Sequence, residues 1–287
     1  MIPKRIFYVW GANQVKKRDV NLCLLSWHQK LPDYEIIEIN ENSTEYFNFQ
    51  EELKNNKYFK MVYDRKMYAF VADYIRIKTL YENGGIYFDT DVCALKTLDE
   101  FLNEPAFIGI EGTKDTIGQD WVEPAILGAQ KGNPFIKKIL DFYNNEILKT
   151  PLYILPEIFM KFLKECYNIE DFLPKEEQKV IRLKDITLYP EKYFIPYRLN
   201  QEFNFECIEP ETCTMHLWHG SWNNSNIRYF QEHKHKYPLW ILDNIIKLKT
   251  FMNSIFKISN EKAGNAKIKY VIFCGLKFKL YKKRSNV

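Results

Sequence analysis

At 287 residues the chain is long enough for one large domain with a real core. Its 46% apolar and 16% aromatic residues exclude a disordered or low-complexity protein. The net charge of +4 is uneven, since the segment from Lys247 to Val287 holds eleven Lys and Arg residues against one acid. The six cysteines lack paired zinc spacing and predict reduced, mostly buried thiols, with a Cys207–Cys213 pair left open.

The first elements alternate between strand and helix. Residues 4–11 read as a strand that ends at Trp10 and Gly11, residues 20–30 as a helix before Pro32, and residues 34–39 as a second strand. This alternation predicts an α/β sheet with ligands at the carboxyl ends of the strands. Trp10 stands at such an end, where an aromatic ring is either a base-stacking platform or part of the core.

A helix is predicted from Met67 to Tyr81, because apolar residues recur there at helical spacing. Asp73 and Arg76 lie three residues apart and therefore on one side of this helix. The sequence Asn83-Gly84-Gly85 ends it, since glycine adopts the positive φ that a helix end requires.

A short apolar strand, Ile86-Tyr87-Phe88, follows and leads into Asp89 and Asp91. Two carboxylates in an Asp-X-Asp arrangement can share one Mg²⁺ or Mn²⁺ that also binds a diphosphate. By itself the tripeptide also occurs in surface turns that bind nothing. Buried carboxylates without a partner are costly, however, and this favours a cation at the end of the strand.

These residues together, Ala72-Asp73-Tyr-Ile-Arg76 and Gly84-Gly85-Ile-Tyr87-Phe-Asp89-Thr-Asp91, resemble the signature of glycosyltransferase family 32. That family of DXD sugar transferases includes bacterial capsular-polysaccharide and lipooligosaccharide transferases and yeast Golgi mannosyltransferases. The catalytic core of the large clostridial glucosylating toxins is related to it. The resemblance extends over about residues 2–222.

The stretch from Gly112 to Glu123 is mostly polar and is expected to form a loop over the acceptor. Asp120 or Glu123 could contact a sugar there, but a solvated loop acid is the preferred interpretation of each.

A second cluster follows at residues 214–222, where His216, Trp218, His219, Ser221 and Trp222 come close together. An imidazole can complete a metal site begun by two carboxylates, and a hydroxyl can reach a phosphate. The block resembles the family's His-X-Trp-X-X-Ser-Trp sequence, in which His216 aligns with the family's histidine and His219 falls at an open position.

The resemblance implies a GT-A type, Rossmann-like nucleotide-sugar-binding domain with a central mixed sheet. It implies that Asp89, Asp91 and His216 bind Mn²⁺ or Mg²⁺, that Asp73 and Arg76 contact the donor sugar, and that Trp10 stacks on the base of the nucleotide. The remaining donor contacts that it implies are Tyr87, Asp89, Ser221 and Trp222. Asp89, Asp91 and Arg76 are the residues expected to carry catalysis. Family members retain the anomeric configuration, consistent with a front-face displacement in which the departing diphosphate helps to deprotonate the acceptor.

We expect a catalytic domain over residues 1–235 and a helical, basic C-terminal extension over residues 236–287. The extension suits the anionic inner leaflet of the cytoplasmic membrane, or else packs on the domain with a solvated basic end. No signal peptide is visible, which predicts a cytoplasmic protein that is peripheral on the membrane, and no nucleic-acid partner is expected.

The sequence therefore predicts a metal-dependent retaining hexosyltransferase. It would use a nucleotide sugar, preferably a UDP-sugar, and a glycan or lipid-linked acceptor in bacterial surface polysaccharide or glycolipid synthesis. A protein-glucosylating effector, a metal-dependent phosphohydrolase and a non-catalytic membrane-binding module are the alternatives. Against the effector, the chain lacks the extra regions of the toxins. The phosphohydrolase and the membrane-binding module leave motifs unexplained.

Overall fold

A computed structural model describes residues 1–199, 201–220, 224–263, 266–273 and 276–284. The chain divides into two compact units, Met1–Asn224 and Ser225–Val287. The domain boundary predicted at residue 235 lies ten residues beyond the start of the second unit.

The first unit alternates strands and helices. The strands are β1 (Arg5–Val9), β2 (Glu35–Ile39), β3 (Gly85–Phe88), β4 (Val92–Ala94), β5 (Ala106–Gly112), β6 (Trp121–Ala129), β7 (Ile181–Arg182), β8 (Thr187–Tyr189) and β9 (Thr214–His216). The helices are α1 (Arg18–Lys30), α2 (Phe49–Asn55), α3 (Lys57–Asp64), α4 (Tyr68–Asn83), α5 (Lys114–Ile117), α6 (Pro134–Asn145), α7 (Leu155–Tyr167) and α8 (Glu191–Phe194).

Seven of these strands form one mixed sheet in the order β2-β1-β3-β6-β5-β8-β7. Strand β1 pairs in parallel with β2 and β3, whereas β6 runs antiparallel to both β3 and β5. The expected α/β fold with a central mixed sheet is confirmed. The carboxyl ends of β1 and β3 meet at one edge of the sheet, which brings the residues after Val9 and Phe88 together.

Helix α4 forms as its apolar spacing predicts, and it ends where the glycines require. Met67, Phe70, Val71, Tyr74 and Ile77 are buried. Gly84 follows the helix with φ of 68°, and Gly85 begins β3 with φ of 131°. A Cβ atom on Gly85 would lie 2.8 Å from the ring of Phe7, so glycine is needed both for the backbone angle and for the close approach of β1. This turn fixes the distance between helix α4 and the acids at the end of β3.

In the interior of the first unit, apolar side chains of the strands pack against helix α1. Trp27 is fully buried and packs edge-on against Tyr8 and Phe88, and its indole N–H donates to the carbonyl of Val92 at 2.7 Å. The five cysteines within the described ranges are free thiols, and Cys207 and Cys213 are not joined. Two of them, Cys23 and Cys213, are buried, fewer than the sequence analysis predicted.

The second unit contains helices α9 (Ser225–His233) and α10 (Leu239–Ile255) and the strands β10 (Phe256–Ala263), β11 (Ala266–Phe273) and β12 (Leu276–Arg284). The three strands form an antiparallel sheet in the order β10-β11-β12. The expectation of a helical extension over residues 236–287 is thus correct for α10 only, because α9 lies before residue 236 and three strands follow α10. Beyond Ile255 lysines alternate with apolar residues, as in Lys267-Ile-Lys-Tyr, and this period of two favours strands. Among the described residues, no helix is long and apolar enough to cross a membrane.

Candidate functional site

Two carboxylates stand where strand β3 ends. Asp89 follows the strand directly, and its backbone N–H donates to the carbonyl of Ala125 on β6 at 2.9 Å. Asp91 comes two residues later, just before β4, and its side chain is 12% exposed. The pairing of β3 with β6 thus places Asp89, and the turn into β4 places Asp91.

The imidazole of His216 reaches these acids from a distant part of the sequence. Strand β9 pairs antiparallel with β4 so that His216 lies opposite Val92, and the N–H of Leu217 donates to the carbonyl of Asp91 at 2.8 Å. Nε2 of His216 lies 3.2 Å from Oδ1 of Asp91. One potential ligand atom from each of Asp89, Asp91 and His216 falls within 4.8 Å of the others.

This donor set fits a divalent ion. Two carboxylates supply the hard oxygen ligands that Mg²⁺ and Mn²⁺ prefer, and the imidazole favours an ion that also accepts nitrogen, as Mn²⁺ does. Oδ2 of Asp89 makes no hydrogen bond to any residue that the structure describes, and the Asp89 side chain is 30% exposed. An ion could therefore reach the site from solvent.

The pKa values of Asp91 and His216 are set by each other and by their neighbours. Burial alone would raise the pKa of Asp91, but the contacts with His216 and with the backbone N–H of His219 lower it to about 2. Burial likewise acts to lower the pKa of His216, and the carboxylates of Glu123 and Asp91 outweigh it and hold that pKa well above its usual value. The imidazole of His216 therefore lies between the carboxylates of Asp91 and Glu123, next to the place where a metal ion would bind.

Arg76 supports the site from helix α4. Its guanidinium donates to Oδ1 of Asp89 at 2.7 Å and to the carbonyl of Pro124, and it lies 3.5 Å from Asp73. It also stacks 4.3 Å from the ring centre of Tyr87. Burial acts to lower the pKa of Arg76, but the neighbouring carboxylates raise it, so that the guanidinium stays charged although only 4% exposed.

The two carboxylates beside Arg76 are less acidic than usual. Burial raises the pKa of Asp73 to about 7 and that of Asp89 to about 6, although Arg76 acts to lower both. Asp73 and Arg76 thus come together as the helical spacing predicts, next to Asp89. Tyr87 is 1% exposed, so its ring belongs to the core beside Arg76, and its contact with a donor remains a prediction.

The other predicted donor residues are only partly accounted for. Trp10 follows β1 at the same edge of the sheet as Asp89, is half-buried, and donates its indole N–H to the carbonyl of Gln14 at 2.8 Å. Its contact with a nucleotide base remains a prediction. Ser221 and Trp222 lie outside the described residues. The side chain of His219 is 38% exposed and pairs with Asp19 at 2.9 Å. Its backbone N–H donates to Oδ2 of Asp91 at 2.9 Å, and its Nδ1 lies 3.8 Å from the same oxygen.

Two acids that the sequence analysis assigned to a solvated loop are buried, so that interpretation was wrong. Glu123 is 6% exposed within strand β6, with Oε2 3.3 Å from Nδ1 of His216. Asp120 is 8% exposed and accepts a hydrogen bond from the backbone N–H of Phe172 at 3.0 Å. The expected loop is short, because β5 continues to Gly112 and β6 begins at Trp121. In the sequence, the strand-forming residues Trp121 and Val122 indicate that β6 begins there.

Comparisons with known proteins agree with this geometry. Residues 17–108 match the family described as "Glycosyltransferase sugar-binding region containing DXD motif". The chain is 29% identical over 142 residues to inositol phosphoceramide mannosyltransferase 3 of Schizosaccharomyces pombe, covering 48% of this chain and 36% of the relative. It is 25% identical over 165 residues to the uncharacterized protein At4g19900 of Arabidopsis thaliana, covering 52% of this chain and 24% of the relative. The chain thus spans about a third or less of the length of these relatives.

Among solved structures, the PaToxG glycosyltransferase is similar with a TM-score of 0.44 and 20% identity, over 58% of this chain and 70% of that one. GlyE of Streptococcus pneumoniae TIGR4 is similar with a TM-score of 0.41 and 10% identity, over 87% of this chain and 64% of that one.

Proposed function

We propose that the chain is a metal-dependent retaining glycosyltransferase, on the premise that residues 17–108 match the glycosyltransferase sugar-binding regions that contain a DXD motif. It moves a hexose from a nucleotide sugar, with a UDP-sugar as the preferred donor, to a glycan or lipid-linked acceptor. The biological setting that we propose is the synthesis of bacterial surface polysaccharide or glycolipid. One observation carries the proposal: Asp89, Asp91 and His216 converge to within 4.8 Å at the carboxyl end of β3.

The residues around the cluster of Asp89, Asp91 and His216 have separate roles in the proposed reaction. A divalent ion held by Asp89, Asp91 and His216 supplies positive charge to the diphosphate leaving group. Arg76, through its hydrogen bond to Asp89 at 2.7 Å, holds that carboxylate in place and adds a second positive charge beside it. Asp73 is 16% exposed and offers a carboxyl group to the hydroxyls of the donor sugar. Trp10, at the end of β1, offers a ring to the nucleotide base.

The shape of the pocket selects the donor sugar, and two series of nucleotide sugars should be tested. UDP-sugars are the first, as the sequence resemblance implies. Mannose donors are the second, because one relative is named as an inositol phosphoceramide mannosyltransferase. The inositol phosphoceramide in that name is a lipid, which agrees with the proposed lipid-linked acceptor.

We further propose that the second unit brings the enzyme to an anionic membrane surface, as a peripheral protein on the cytoplasmic side. One face of helix α10 exposes large apolar side chains, namely Trp240, Leu248, Phe251 and Met252. The chain around and after this helix is strongly basic. Amphipathic helices with lysines nearby bind such surfaces, and each basic residue contributes about 1 kcal/mol there.

The membrane proposal is tested by sedimentation with vesicles that contain phosphatidylglycerol. The wild-type chain is expected to sediment with them and to be released by high salt, because salt screens the attraction. Replacing Trp240 and Phe251 by Ser should weaken binding at least tenfold. Replacing Leu22 and Leu25, two exposed leucines of α1, should not change it. Equal binding by both double variants would contradict the proposal.

The catalytic proposal is tested by acceptor-free hydrolysis of UDP- and GDP-sugars with Mn²⁺, comparing two Asp→Asn variants. Asp91→Asn removes a ligand and should lower hydrolysis at least a hundredfold. Asp64→Asn alters an exposed residue of α3 that pairs with Lys60, within the same matched region, and should leave the rate unchanged. Retention of full activity by Asp91→Asn would refute the metal role, and hydrolysis of nucleotides without sugar would favour the phosphohydrolase.

A further inference from the structure

Glu123 contacts the imidazole of His216 on the side opposite to Asp91. We infer that Glu123 is a positioning residue, which fixes the orientation and tautomer of His216 so that Nε2 is directed at a divalent ion. The inference rests on the proposed metal site and adds to it a residue that contacts neither the ion nor the substrate.

The contact is defined at both ends. Nδ1 of His216 is buried, lies 3.3 Å from Oε2 of Glu123, and has no aligned hydrogen-bond partner within the described part of the chain. The other oxygen of Glu123, Oε1, accepts a hydrogen bond from the backbone N–H of Ala125 at 2.8 Å. The carboxylate is thereby anchored to the backbone, and its second oxygen is left facing the ring.

The backbone of strand β6 is shaped to present this carboxylate. Its register with β5 passes from Ile108 opposite Leu127 to Gly109 opposite Glu123, which leaves residues 124–126 bulged out of the pairing. Bulges of this kind redirect side chains near functional sites. In the bulge, the carbonyls of Pro124 and Ala125 accept hydrogen bonds from Arg76 and from the N–H of Asp89. Three consecutive residues at this bulge, Glu123, Pro124 and Ala125, therefore contact His216, Arg76 and Asp89.

The arrangement places the two ring nitrogens of His216 in different surroundings. Nε2 is on the side of Asp91, at 3.2 Å, and Nδ1 is on the side of Glu123. A ligating histidine needs a proton on the nitrogen that does not bind the metal, and a carboxylate at that nitrogen both keeps the proton there and makes the ring a better ligand. Loss of such a partner typically weakens metal affinity about 10- to 100-fold.

The test measures Mn²⁺ affinity by electron paramagnetic resonance in the full chain, without donor, at pH 7.5. Glu123→Gln keeps the size of the side chain and removes its charge, and it should weaken Mn²⁺ binding about 10-fold or more. Glu111→Gln is the matched control. Glu111 lies next to the end of the neighbouring strand β5 and makes no ion pair with His216 among the described residues, so its replacement should change the affinity less than twofold.

A double-mutant comparison separates positioning from general damage. If Glu123 acts through His216, then Glu123→Gln should have no further effect on Mn²⁺ affinity in a chain that already carries His216→Ala. Should Glu123→Gln fail to fold, as judged by circular dichroism, Glu123→Asp replaces it. That variant shortens the reach to Nδ1 and should weaken binding with the same dependence on His216.

Each outcome is decisive for one of the two claims. Unchanged affinity in Glu123→Gln, an equal loss in Glu111→Gln, or a loss that persists in the His216→Ala background would overturn the positioning role. If the wild-type chain binds no Mn²⁺ at millimolar concentration, the metal site of the proposed function fails, and the inference falls with it.

Discussion

The ion pairs of Arg76 should control the stability of the site, and Arg76→Met tests this. The substitution keeps most of the side-chain volume but leaves Asp89, at 2.7 Å, and Asp73, at 3.5 Å, without their cation. Breaking a buried pair by removing one partner costs about 3–5 kcal/mol. Since Asp89 is 30% exposed and water can compensate part of the loss, we expect a decrease of about 3 kcal/mol in the free energy of unfolding at pH 8.

The loss of unfolding free energy in Arg76→Met should depend on pH, because the carboxyl groups beside Arg76 gain and lose protons. The pKa of Asp73 in the folded wild-type chain is raised to about 7, and removal of Arg76 should raise it further. A carboxyl group with a raised pKa destabilises the fold as pH increases above its unfolded value near 4. The deficit of Arg76→Met should therefore be large at pH 8 and should shrink by about half at pH 5, where Asp73 is protonated.

The assay is urea unfolding at both pH values, with a chelator present to exclude metal. Lys60→Met is the control, because Lys60 pairs with Asp64 on the surface of α3, with side chains 58% and 48% exposed, and such pairs contribute less than about 1 kcal/mol. A deficit below about 1 kcal/mol at pH 8, or an equal deficit at the two pH values, would refute this reasoning.

Four further variants test the fold and the site. Gly128→Ala should lower the free energy of unfolding by about 3 kcal/mol in urea titrations, because the new Cβ would overlap the ring of Phe107. Gly118→Ala, in open space with φ of 83°, should cost only about 1 kcal/mol, and equal losses would contradict the steric argument. Trp27→Phe should cost about 1–3 kcal/mol by leaving the buried carbonyl of Val92 unpaired, and an unchanged midpoint would show that this hydrogen bond is dispensable. Trp10→Ala should raise the KM for the nucleotide sugar about tenfold, consistent with a loss of about 1–3 kcal/mol of stacking, with unchanged unfolding. An unaltered KM would remove Trp10 from the donor site.

The part of the site that is local in sequence could be predicted from the residues. Helix α4, the glycine turn and β3 follow from apolar spacing and from the positive φ of Gly84, and they carry Asp73, Arg76, Asp89 and Asp91 to one edge of the sheet. The approach of His216 required the family resemblance, because the pairing of β9 with β4 joins residues more than a hundred positions apart.

The burial of Glu123 was harder to predict. It depends on the start of β6 at Trp121 and on the bulge of that strand, and beyond the short run Trp121-Val122 the polar stretch has the composition of a solvated loop. The sheet β10-β11-β12 was missed for a different reason. The lysines of that segment were interpreted as a charged tail, although their alternation with apolar residues favoured strands.

The most direct test of the proposed metal-dependent sugar transfer is nuclear magnetic resonance of UDP- and GDP-sugars incubated with the chain. We expect one nucleotide sugar to release its hexose with Mn²⁺, with the anomeric configuration of the donor retained in the first product observed. Release should stop on addition of a chelator and resume when Mn²⁺ is restored. Hydrolysis that continues at the same rate in chelator would contradict the metal role, and a first product of inverted configuration would contradict the retaining mechanism.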